Sequence, residues 1–406
     1  MKHGWQTKKI GDVCVLMTGG TPSRAKPEYF GGDIRWLVSG DINLGEIFEC
    51  EGRITEAGMR NSNAKLLPLN SVMIALNGQG KTRGTVALLR TQATCNQSLV
   101  SIYPKEPEKL LPEFLYANLH GRYQEIRHMT GDSGNDRRGL NMGLIESIAI
   151  PIAPLPEQKR IVGILDEAFD GIATAKANAE KNLQNARALF ESHLESIFTK
   201  RGAGWLEKPL AELCDIKHGF TFKSQFFTDK GDFVLLTPGN FFESGGYRDR
   251  GEKQKYYCGE IPSGFILERG DLLVAMTEQA AGLLGSPIIV PESGKFLHNQ
   301  RLGLVTSRPG VAWTNEFFFH VFNTKTVRKE IHDSASGVKV RHTSPTKIGE
   351  VVVSFPTSIS KQRAIVSKLN DLDEETQRLE SIYQQKLAAL EALKKSLLHQ
   401  AFSGQL

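Results

Sequence analysis

The chain contains two copies of one sequence unit, and this duplication constrains its fold more than any other feature. Matching positions lie 200 residues apart near the start and 203 to 204 apart further on, a drift that small loop insertions explain. The matches, first copy before second, are Gly4-Trp5 and Gly204-Trp205, Lys8 and Lys208, Cys14 and Cys214, Gly19 and Gly219, Thr21 and Thr221, Asn96-Gln97 and Asn299-Gln300, Glu113-Phe114 and Glu316-Phe317, and Gln158 to Val162 and Gln362 to Val366. Each half of the chain is therefore predicted to be one complete structural unit.

Within each copy the first part is predicted to be a mixed α/β globule. Short β segments such as Ile34 to Val38, Val72 to Leu76 and Val86 to Leu89 are separated by Gly, Pro and Asn turns. The character changes at Pro154-Leu155-Pro156-Glu157, where proline and an acidic residue favour the start of a helix. We therefore expect four segments, which are a first globule (1–153), a central helix (154–201), a second globule (202–356) and a C-terminal helix (357–406).

Both helical segments carry one apolar stripe at helical spacing. The first runs through Ile161, Leu165, Phe169, Ile172, Ala175, Ala179, Leu183, Ala186, Phe190, Leu194 and Ile197, and the second through Ile365, Leu369, Leu372, Leu379, Tyr383, Leu387, Leu390, Leu393 and Leu397. Helices of about 40 residues are about 60 Å long, too long for one small globule to cover. The economical arrangement is an antiparallel coiled-coil pair that joins the two globules with pseudo-twofold symmetry. Lys361 replaces Glu157 in the second copy and opposes the helix dipole, so this helix is expected to start later or to fray.

Composition excludes several classes of protein. No apolar run approaches the roughly 20 residues that span a bilayer, and the first residues lack the apolar stretch of a signal peptide, so we expect a cytoplasmic chain without membrane contact. The five cysteines are odd in number and scattered, which indicates neither a disulfide framework nor a zinc site. We assign no metal. A formal net charge of +5 fits a polyanionic partner but also many others.

Two segments resemble a known family. Thr18-Gly19-Gly20-Thr21-Pro22-Ser23, followed by 28–36 and Gly40-Asp41-Ile42, resembles the opening of a target recognition domain in specificity subunits of type I restriction-modification systems. Residues 148–151 running into 154–162 resemble the family's junction between recognition domain and helical spacer. With the duplication, the resemblance covers nearly the whole chain. It implies a non-catalytic, sequence-specific DNA-binding subunit.

The resemblance also implies partners. These are double-stranded DNA, two methyltransferase subunits that use S-adenosylmethionine, and two ATP-dependent, magnesium-requiring translocase-nuclease subunits. We expect no cofactor in this chain itself. Its helices are expected to set the gap between two half-sites and to dock the methyltransferase subunits.

Two short motifs favour other functions. Residues 75–82, Ala-Leu-Asn-Gly-Gln-Gly-Lys-Thr, satisfy a permissive phosphate-loop pattern, but Val86 begins another β-like segment where a phosphate loop needs a helix. An ATPase using Lys81-Thr82 is therefore disfavoured. Residues 131–134, Gly-Asp-Ser-Gly, are similar to a protease nucleophile segment without its context and are interpreted as a polar loop. A coiled-coil assembly scaffold without DNA specificity remains the main alternative.

Candidate base readers are polar side chains of the loops, which are rich in the Arg, Lys, Asn, Gln and carboxylate groups that discriminate base edges in the major groove. They are Ser39, Asp41, Asn43, Asn77, Gln79, Lys81, Arg83, Arg137 and Arg138 in the first globule, and Thr237, Asn240, Thr277, Glu278, Gln279, Lys339, Arg341 and His342 in the second. Each is about as likely to belong to a solvated loop, and the cations could contact phosphates instead. The framework recurs between copies while these loops differ, so an asymmetric two-part target is predicted.

Overall fold

The computed structural model describes residues 4–78, 81–130, 139–200, 202–278 and 282–406. They form two compact units, one made of Met1–Glu180 with Gln384–Leu406 (unit 1) and one made of Lys181–Tyr383 (unit 2). The boundary between the two units falls within each long helix, after Glu180 and after Tyr383, whereas the expected four segments keep each helix whole. The four expected segment boundaries therefore stay a prediction. No helix in the described residues is long and apolar enough to cross a membrane.

The first repeat alternates short strands and helices before one long helix. Its strands are β1 (Gln6–Lys9), β2 (Cys14–Thr18), β3 (Phe30–Leu37), β4 (Glu46–Ile47), β5 (Arg53–Ile54), β6 (Val72–Ala75), β7 (Val86–Leu89), β8 (Thr94–Cys95), β9 (Leu99–Pro104) and β10 (Ala149–Ile152). Its helices are α1 (Ile10–Val13), α2 (Glu56–Arg60), α3 (Pro112–Gly121), α4 (Tyr123–His128), α5 (Met142–Glu146) and α6 (Leu155–Thr199).

The second repeat follows the same plan. Its strands are β11 (Trp205–Pro209), β12 (Cys214–His218), β13 (Phe227–Thr228), β14 (Phe233–Leu235), β15 (Tyr256–Tyr257), β16 (Leu272–Ala275), β17 (Thr277–Glu278), β18 (Pro287–Ile289), β19 (Phe296–Leu297), β20 (Leu302–Ser307), β21 (Arg341–His342) and β22 (Val352–Pro356). Its helices are α7 (Leu210–Leu213), α8 (Asn315–Asn323), α9 (Lys325–Asp333), α10 (Pro345–Gly349) and α11 (Ile359–Ser403). The expected mixed α/β class with two long helices is confirmed.

One sheet forms the centre of each unit. In unit 1 the strand order is β2-β9-β6-β7-β4, and in unit 2 it is β12-β20-β16-β18. Val72 and Ile74 belong to the cluster on one face of the unit 1 sheet, and Met73 and Ala75 to the cluster on the other. Successive side chains of a strand point to opposite faces, and both faces of this sheet are covered. The β6 sequence is therefore apolar at every position. The loops that leave β6 and β16 are therefore held by fully buried strands.

A buried glutamine fixes the start of each long helix to its globule. Gln158 is fully buried, and its amide nitrogen donates to the carbonyl oxygens of Lys109 and Ala153 at 2.8 and 2.7 Å. Its side-chain oxygen accepts from the backbone N–H of Leu111 at 2.9 Å. Gln362 is also fully buried and makes three corresponding bonds in unit 2. The matched glutamines thus have the same structural role in both copies.

The second long helix does not start late. It begins at Ile359, which corresponds to the α6 start at Leu155, so the expected delay or fraying is wrong. Ser358 Oγ accepts from the backbone N–H of Lys361 at 3.4 Å and caps the first turn. The Lys361 ammonium turns back to the carbonyl oxygen of Ala203 at 3.0 Å, so a bonded acceptor offsets its unfavourable position near the helix dipole.

In unit 1 the two long helices run antiparallel. Lys176 pairs with Glu391 at 2.9 Å, and Arg160 donates to the carbonyl oxygen of Leu406 at 2.7 Å. Residue numbers therefore increase along one helix in the direction in which they decrease along the other. Leu393 was expected in the apolar stripe but is 47% exposed. The half-buried Lys394 lies next to it, with its ammonium 5.0 Å from the centre of the Phe169 ring.

Candidate nucleic-acid interface

A hairpin loop between β6 and β7 carries the first group of candidate readers. Its neck closes through a bond from the Gly84 N–H to the Ala75 carbonyl oxygen at 2.9 Å, and Gly84 has a φ of +81°, which favours glycine. The Lys81 carbonyl oxygen accepts from the Thr85 hydroxyl at 2.6 Å and from the Tyr123 hydroxyl at 3.0 Å. The loop backbone is therefore tied to α4, while the Lys81 side chain is exposed.

This hairpin lacks the geometry of a phosphate loop. After Thr82 the chain enters β7, which pairs antiparallel with β6 at Ile74↔Val86. The predicted strand after the motif is confirmed, and no helix N-terminus follows the motif to receive a phosphate. Gln79 lies outside the described residues.

The segment that begins at Gly139 packs against the start of the hairpin loop between β6 and β7. The Leu140 N–H donates to the Leu76 carbonyl oxygen at 3.0 Å. A Cβ on Gly139 would lie 1.9 Å from Asn77 Oδ1, so the Asn77 side chain packs directly against this glycine. Residues 131–138, with Arg137 and Arg138, lie outside the described residues. The chain that follows them, at Gly139 and Leu140, lies against Leu76 and Asn77 at the start of the hairpin loop.

Unit 2 brings its corresponding loops together by a short strand pair. β17 pairs antiparallel with β21, with Thr277 opposite His342 and Glu278 opposite Arg341. Thr277 Oγ1 and His342 Nδ1 are 3.3 Å apart. His342 and the nearby Lys339 are exposed, whereas Thr277 is buried. Gln279 lies outside the described residues.

Glu278 organises its loop from inside. It is 3% exposed, and Oε2 accepts from the backbone N–H groups of Gly282, Leu283 and Leu284 at 3.0, 3.0 and 2.9 Å. A buried carboxylate that accepts three backbone donors acts as a structural anchor. Glu278, one of the candidate readers, is thus bonded within its own loop.

Arg341 is also engaged within the protein. One of its terminal nitrogens donates to the His332 carbonyl oxygen at 2.6 Å, and the other lies 2.6 Å from His332 Nε2. His332 Nε2 is in turn 3.6 Å from the Glu278 carboxylate. The guanidinium is half-buried and helps to hold β21 beside α9.

A third candidate segment is a turn with the same cap in both copies. Asp41 Oδ2 accepts from the Val38 N–H at 2.8 Å, and Asn240 Oδ1 accepts from the Thr237 N–H at 3.0 Å. The Asn240 amide nitrogen also donates to Gln254 Oε1 at 2.9 Å, and Asn240 is 1% exposed. The Asn240 side chain is therefore buried and bonded within its turn. Burial is also the first cause that raises the pKa of Asp41.

The described candidates thus separate by exposure. Those whose side chains are exposed are Asn43, Asn77, Lys81, Lys339 and His342, and those half-buried are Ser39, Asp41, Arg83, Thr237 and Arg341. Sequence reasoning missed the residues that hold the loops, which are Tyr123, His332 and Arg127, whose guanidinium donates to the Arg83 carbonyl oxygen at 3.4 Å. Only tertiary contacts reveal them, since Tyr123 lies 42 residues from the Lys81 carbonyl group that it binds.

Two further residues beneath the interface correspond across the copies. Cys95 Sγ donates to the Leu99 carbonyl oxygen at 3.8 Å, and His298 Nε2 lies 3.0 Å from the Leu302 carbonyl oxygen. Burial lowers the pKa of His298 to about 4. A neutral imidazole in unit 2 therefore replaces the thiol of unit 1.

Comparison with known proteins identifies the family. The model of the type I restriction modification DNA specificity domain matches residues 2–184 and again residues 203–391. The specificity subunit of the type I restriction enzyme EcoR124I/EcoR124II from Escherichia coli is 30% identical over 173 residues, 42% of each chain. The MjaVIII specificity subunit of Methanocaldococcus jannaschii is 20% identical over 415 residues, which cover 99% of this chain and 93% of that protein.

The aligned region spans only about half or less of some relatives, 42% of the EcoR124I/EcoR124II subunit and 52% of the MjaIX subunit of M. jannaschii. Solved structures share the fold over the whole chain. The HsdS subunit from Thermoanaerobacter tengcongensis matches with a TM-score of 0.64 at 17% identity, covering 100% of this chain and 98% of that one. A chain from a study of complex assembly and conformational transition of the type I R-M system matches with a TM-score of 0.79 at 18% identity, covering 100% and 99%.

Because the family model covers both repeats, the chain belongs to the DNA specificity subunits of type I restriction-modification systems.

Proposed function

We propose that each repeat reads one half of an asymmetric, bipartite double-stranded DNA target. The observation that carries this proposal is the contrast between the copies. The glutamine anchors, the turn caps and the central sheets recur, whereas residues 76–83, Leu-Asn-Gly-Gln-Gly-Lys-Thr-Arg, face residues 276–283, Met-Thr-Glu-Gln-Ala-Ala-Gly-Leu. Equal frameworks that present different loops fit two different half-sites.

The exposed side chains suit base edges and phosphates. Asn77 offers the donor and acceptor pair that matches adenine, and Lys81 offers a cation for guanine or for a phosphate. In unit 2 the exposed candidates are Lys339 and His342, which lie in the other loop and beside Thr277, the residue that corresponds to Asn77. Glu278 and Asn240 act indirectly in this proposal, because they fix the backbone that presents the exposed groups.

The long helices are proposed to set the gap between the half-sites and to dock two methyltransferase subunits. Each helix has 45 residues, which corresponds to about 68 Å. Two translocase-nuclease subunits complete the proposed assembly. S-adenosylmethionine, ATP and magnesium are assigned to the partners, and this chain is proposed to be non-catalytic and cytoplasmic.

Mapping of methylated bases tests the proposal. A host that expresses this chain with its methyltransferase partner should carry methylation at one asymmetric motif with an unread gap. Lys81→Ala is then compared with Lys9→Ala, which removes an exposed cation on β1. If Lys81 reads a base, discrimination is lost at one half-site only, and if it contacts a phosphate, affinity falls equally for all sequences.

The main alternative makes the opposite prediction. A scaffold without DNA specificity would leave the methylation pattern unchanged when residues 76–85 are replaced by residues 276–285. The proposed function requires that this exchange change one half-site and leave the other intact. The proposed function would also be contradicted if the isolated chain hydrolysed ATP and Lys81→Ala abolished this activity.

A further inference from the structure

One exposed hydrogen-bonded pair is present in both units with the same geometry. In unit 1 the Thr21 hydroxyl donates to Gln97 Oε1 at 2.6 Å. In unit 2 the Thr221 hydroxyl donates to Gln300 Oε1 at 2.6 Å. Both glutamines are exposed, and neither pair belongs to the loops that differ between the copies. A surface pair that recurs with its geometry in two repeats needs a reason other than burial.

In each unit an asparagine side chain closes a turn that holds the backbone of the glutamine in place. Asn96 Oδ1 accepts from the Ser98 N–H at 2.9 Å, and Asn299 Oδ1 accepts from the Arg301 N–H at 3.0 Å. Each bond closes a turn with the glutamine at its centre. The glutamine is therefore held at the tip of a fixed turn in both units.

Glycine lets the threonine segment approach this turn. A Cβ on Gly19 would lie 1.7 Å from the Cys95 carbonyl oxygen, and a Cβ on Gly219 would lie 2.2 Å from the Asn299 carbonyl oxygen. Any other residue would push the two segments apart. The repeated Gly and Thr positions thus act together to orient the glutamine side chain.

The pair lies at the base of the candidate reading loop. The Leu76 N–H donates to the Ser98 carbonyl oxygen at 2.9 Å, and the Met276 N–H donates to the Arg301 carbonyl oxygen at 2.9 Å. Leu76 precedes Asn77, and Met276 precedes Thr277. DNA that reaches these loops would therefore pass close to the glutamine tips.

The chemistry of the pair favours an acceptor ligand. The threonine proton takes one of the two acceptor positions of Oε1, whereas both amide N–H groups remain to donate. No protein acceptor lies within hydrogen-bond distance of either amide nitrogen in the ranges that the structure describes. Reading adenine with glutamine needs both the oxygen and the nitrogen, whereas a phosphate oxygen needs only a donor.

We propose that Gln97 and Gln300, each oriented by its threonine, bind DNA backbone phosphates and set the register of the duplex against the reading loops. Because the pairs are the same in both repeats, they serve two different half-sites equally, as a sequence-independent contact must. This inference rests on the proposed function and adds the residues that position the DNA.

The test uses the assembled methyltransferase complex and duplexes that carry its mapped target or a scrambled one. Gln97→Glu keeps the acceptor for Thr21 but places an anion where the donors were. Affinity for both duplexes should fall about tenfold by the same factor, since a hydrogen bond to a charged group is replaced by repulsion. The magnitude of the slope of log affinity against log salt should decrease by about 0.9, because the introduced carboxylate offsets one of the positive charges that the complex places on the DNA.

Two further variants keep the test independent of folding. Gln97→Met removes the donors without adding charge, so affinity should fall for both duplexes while the salt slope stays the same. Thr21→Ser keeps the oriented pair and should match the unaltered complex. The same changes at Gln300 should act equally and add to those at Gln97, since the two sites lie in separate repeats.

Several results would overturn the inference. A changed base preference at one half-site would make the glutamine a base reader, and unchanged DNA affinity would remove it from the interface. Failure of the variants to assemble with the methyltransferase subunits would assign the pair to a protein contact. If instead the unaltered complex does not distinguish target from scrambled duplex, the proposed function itself fails.

Discussion

We expect His298→Cys to reduce the acid sensitivity of unit 2. His298 is fully buried, and burial is the main cause that lowers its pKa from 6.5 to about 4. The bond to the Leu302 carbonyl group partly opposes this shift, and Lys217 and His218 add smaller lowering effects. Unit 1 has a thiol, Cys95, at the matching position, with the equivalent bond to Leu99. The substitution therefore introduces a residue that the same framework already accommodates.

The magnitude follows from linkage between protonation and folding. Between about pH 6.5 and about pH 4 the unfolded chain binds a proton at this histidine that the folded chain does not bind. The free energy of unfolding therefore falls as pH falls through this window, by about 3 kcal/mol in total. About 2 kcal/mol of this loss should occur between about pH 7 and about pH 5.

His320 behaves in the same way, since burial lowers its pKa to about 4 as well. His298→Cys should therefore remove about half of the pH dependence that the two histidines produce. The buried thiol does not titrate in this range, because burial raises the pKa of its counterpart Cys95 to about 12.

Hydrogen exchange of peptides from β20, followed by mass spectrometry and corrected for the intrinsic effect of pH, measures the stability of unit 2 locally. The protection free energy of the unaltered chain should fall between about pH 7 and about pH 5, and that of His298→Cys should fall by about half as much. His342→Gln changes an exposed histidine and is the matched control. If His298→Cys retained the full pH dependence, the argument from burial would be refuted.

Three other changes test the anchors, the loop and the helices. Gln158→Leu removes the three hydrogen bonds of this side chain and should lower the free energy of unfolding of unit 1 by about 3 kcal/mol in urea. The control Gln384→Leu changes an exposed glutamine and should cost less than about 0.5 kcal/mol. Equal effects of the two substitutions would contradict the role of Gln158 as an anchor. Glu278→Gln weakens the carboxylate that holds three backbone N–H groups, so competition binding should show reduced discrimination at one half-site with non-specific affinity kept, and loss of both would point to unfolding. Insertion of four residues after Ala179 and four after Tyr383 lengthens each helix by about 6 Å and rotates its stripe by only about 40°. Methylation mapping should then show a gap about two base pairs longer between unchanged half-sites, while changed bases at constant spacing would place specificity in the helices. Insertion in one helix alone should mainly destabilise the chain.

Patterns of local origin were predictable from the sequence. Apolar runs predicted the strands Val72–Ala75 and Val86–Leu89, and a stripe at helical spacing predicted both long helices. These patterns predict structure because the spacing of apolar residues directly reflects whether one face or both faces of an element are buried. Helix details depended on neighbours, since the Ser358 cap and the Ala203 carbonyl group allow α11 to start at Ile359 despite Lys361.

The sequence could name polar loop residues but not the atoms that each side chain would bind. Asn240 and Lys339 looked equally suitable as readers, yet Asn240 is 1% exposed and bonded within its turn, while Lys339 is exposed. The Thr21 and Gln97 pair was visible only as two separate matches between the copies. Its hydrogen bond joins atoms 76 residues apart, and no local pattern encodes such a distance.

The sequence by itself determined the duplication, the order of globule and helix, and the family, because each depends on residues that are near in the chain or repeated at a fixed offset. The tertiary structure alone decided which candidate side chains remain available to a ligand. A polar side chain that meets an internal partner stabilises the fold, and one that meets none remains accessible at the surface. That partner can be distant in sequence, as Tyr123 lies 42 residues from the Lys81 carbonyl group that its hydroxyl binds.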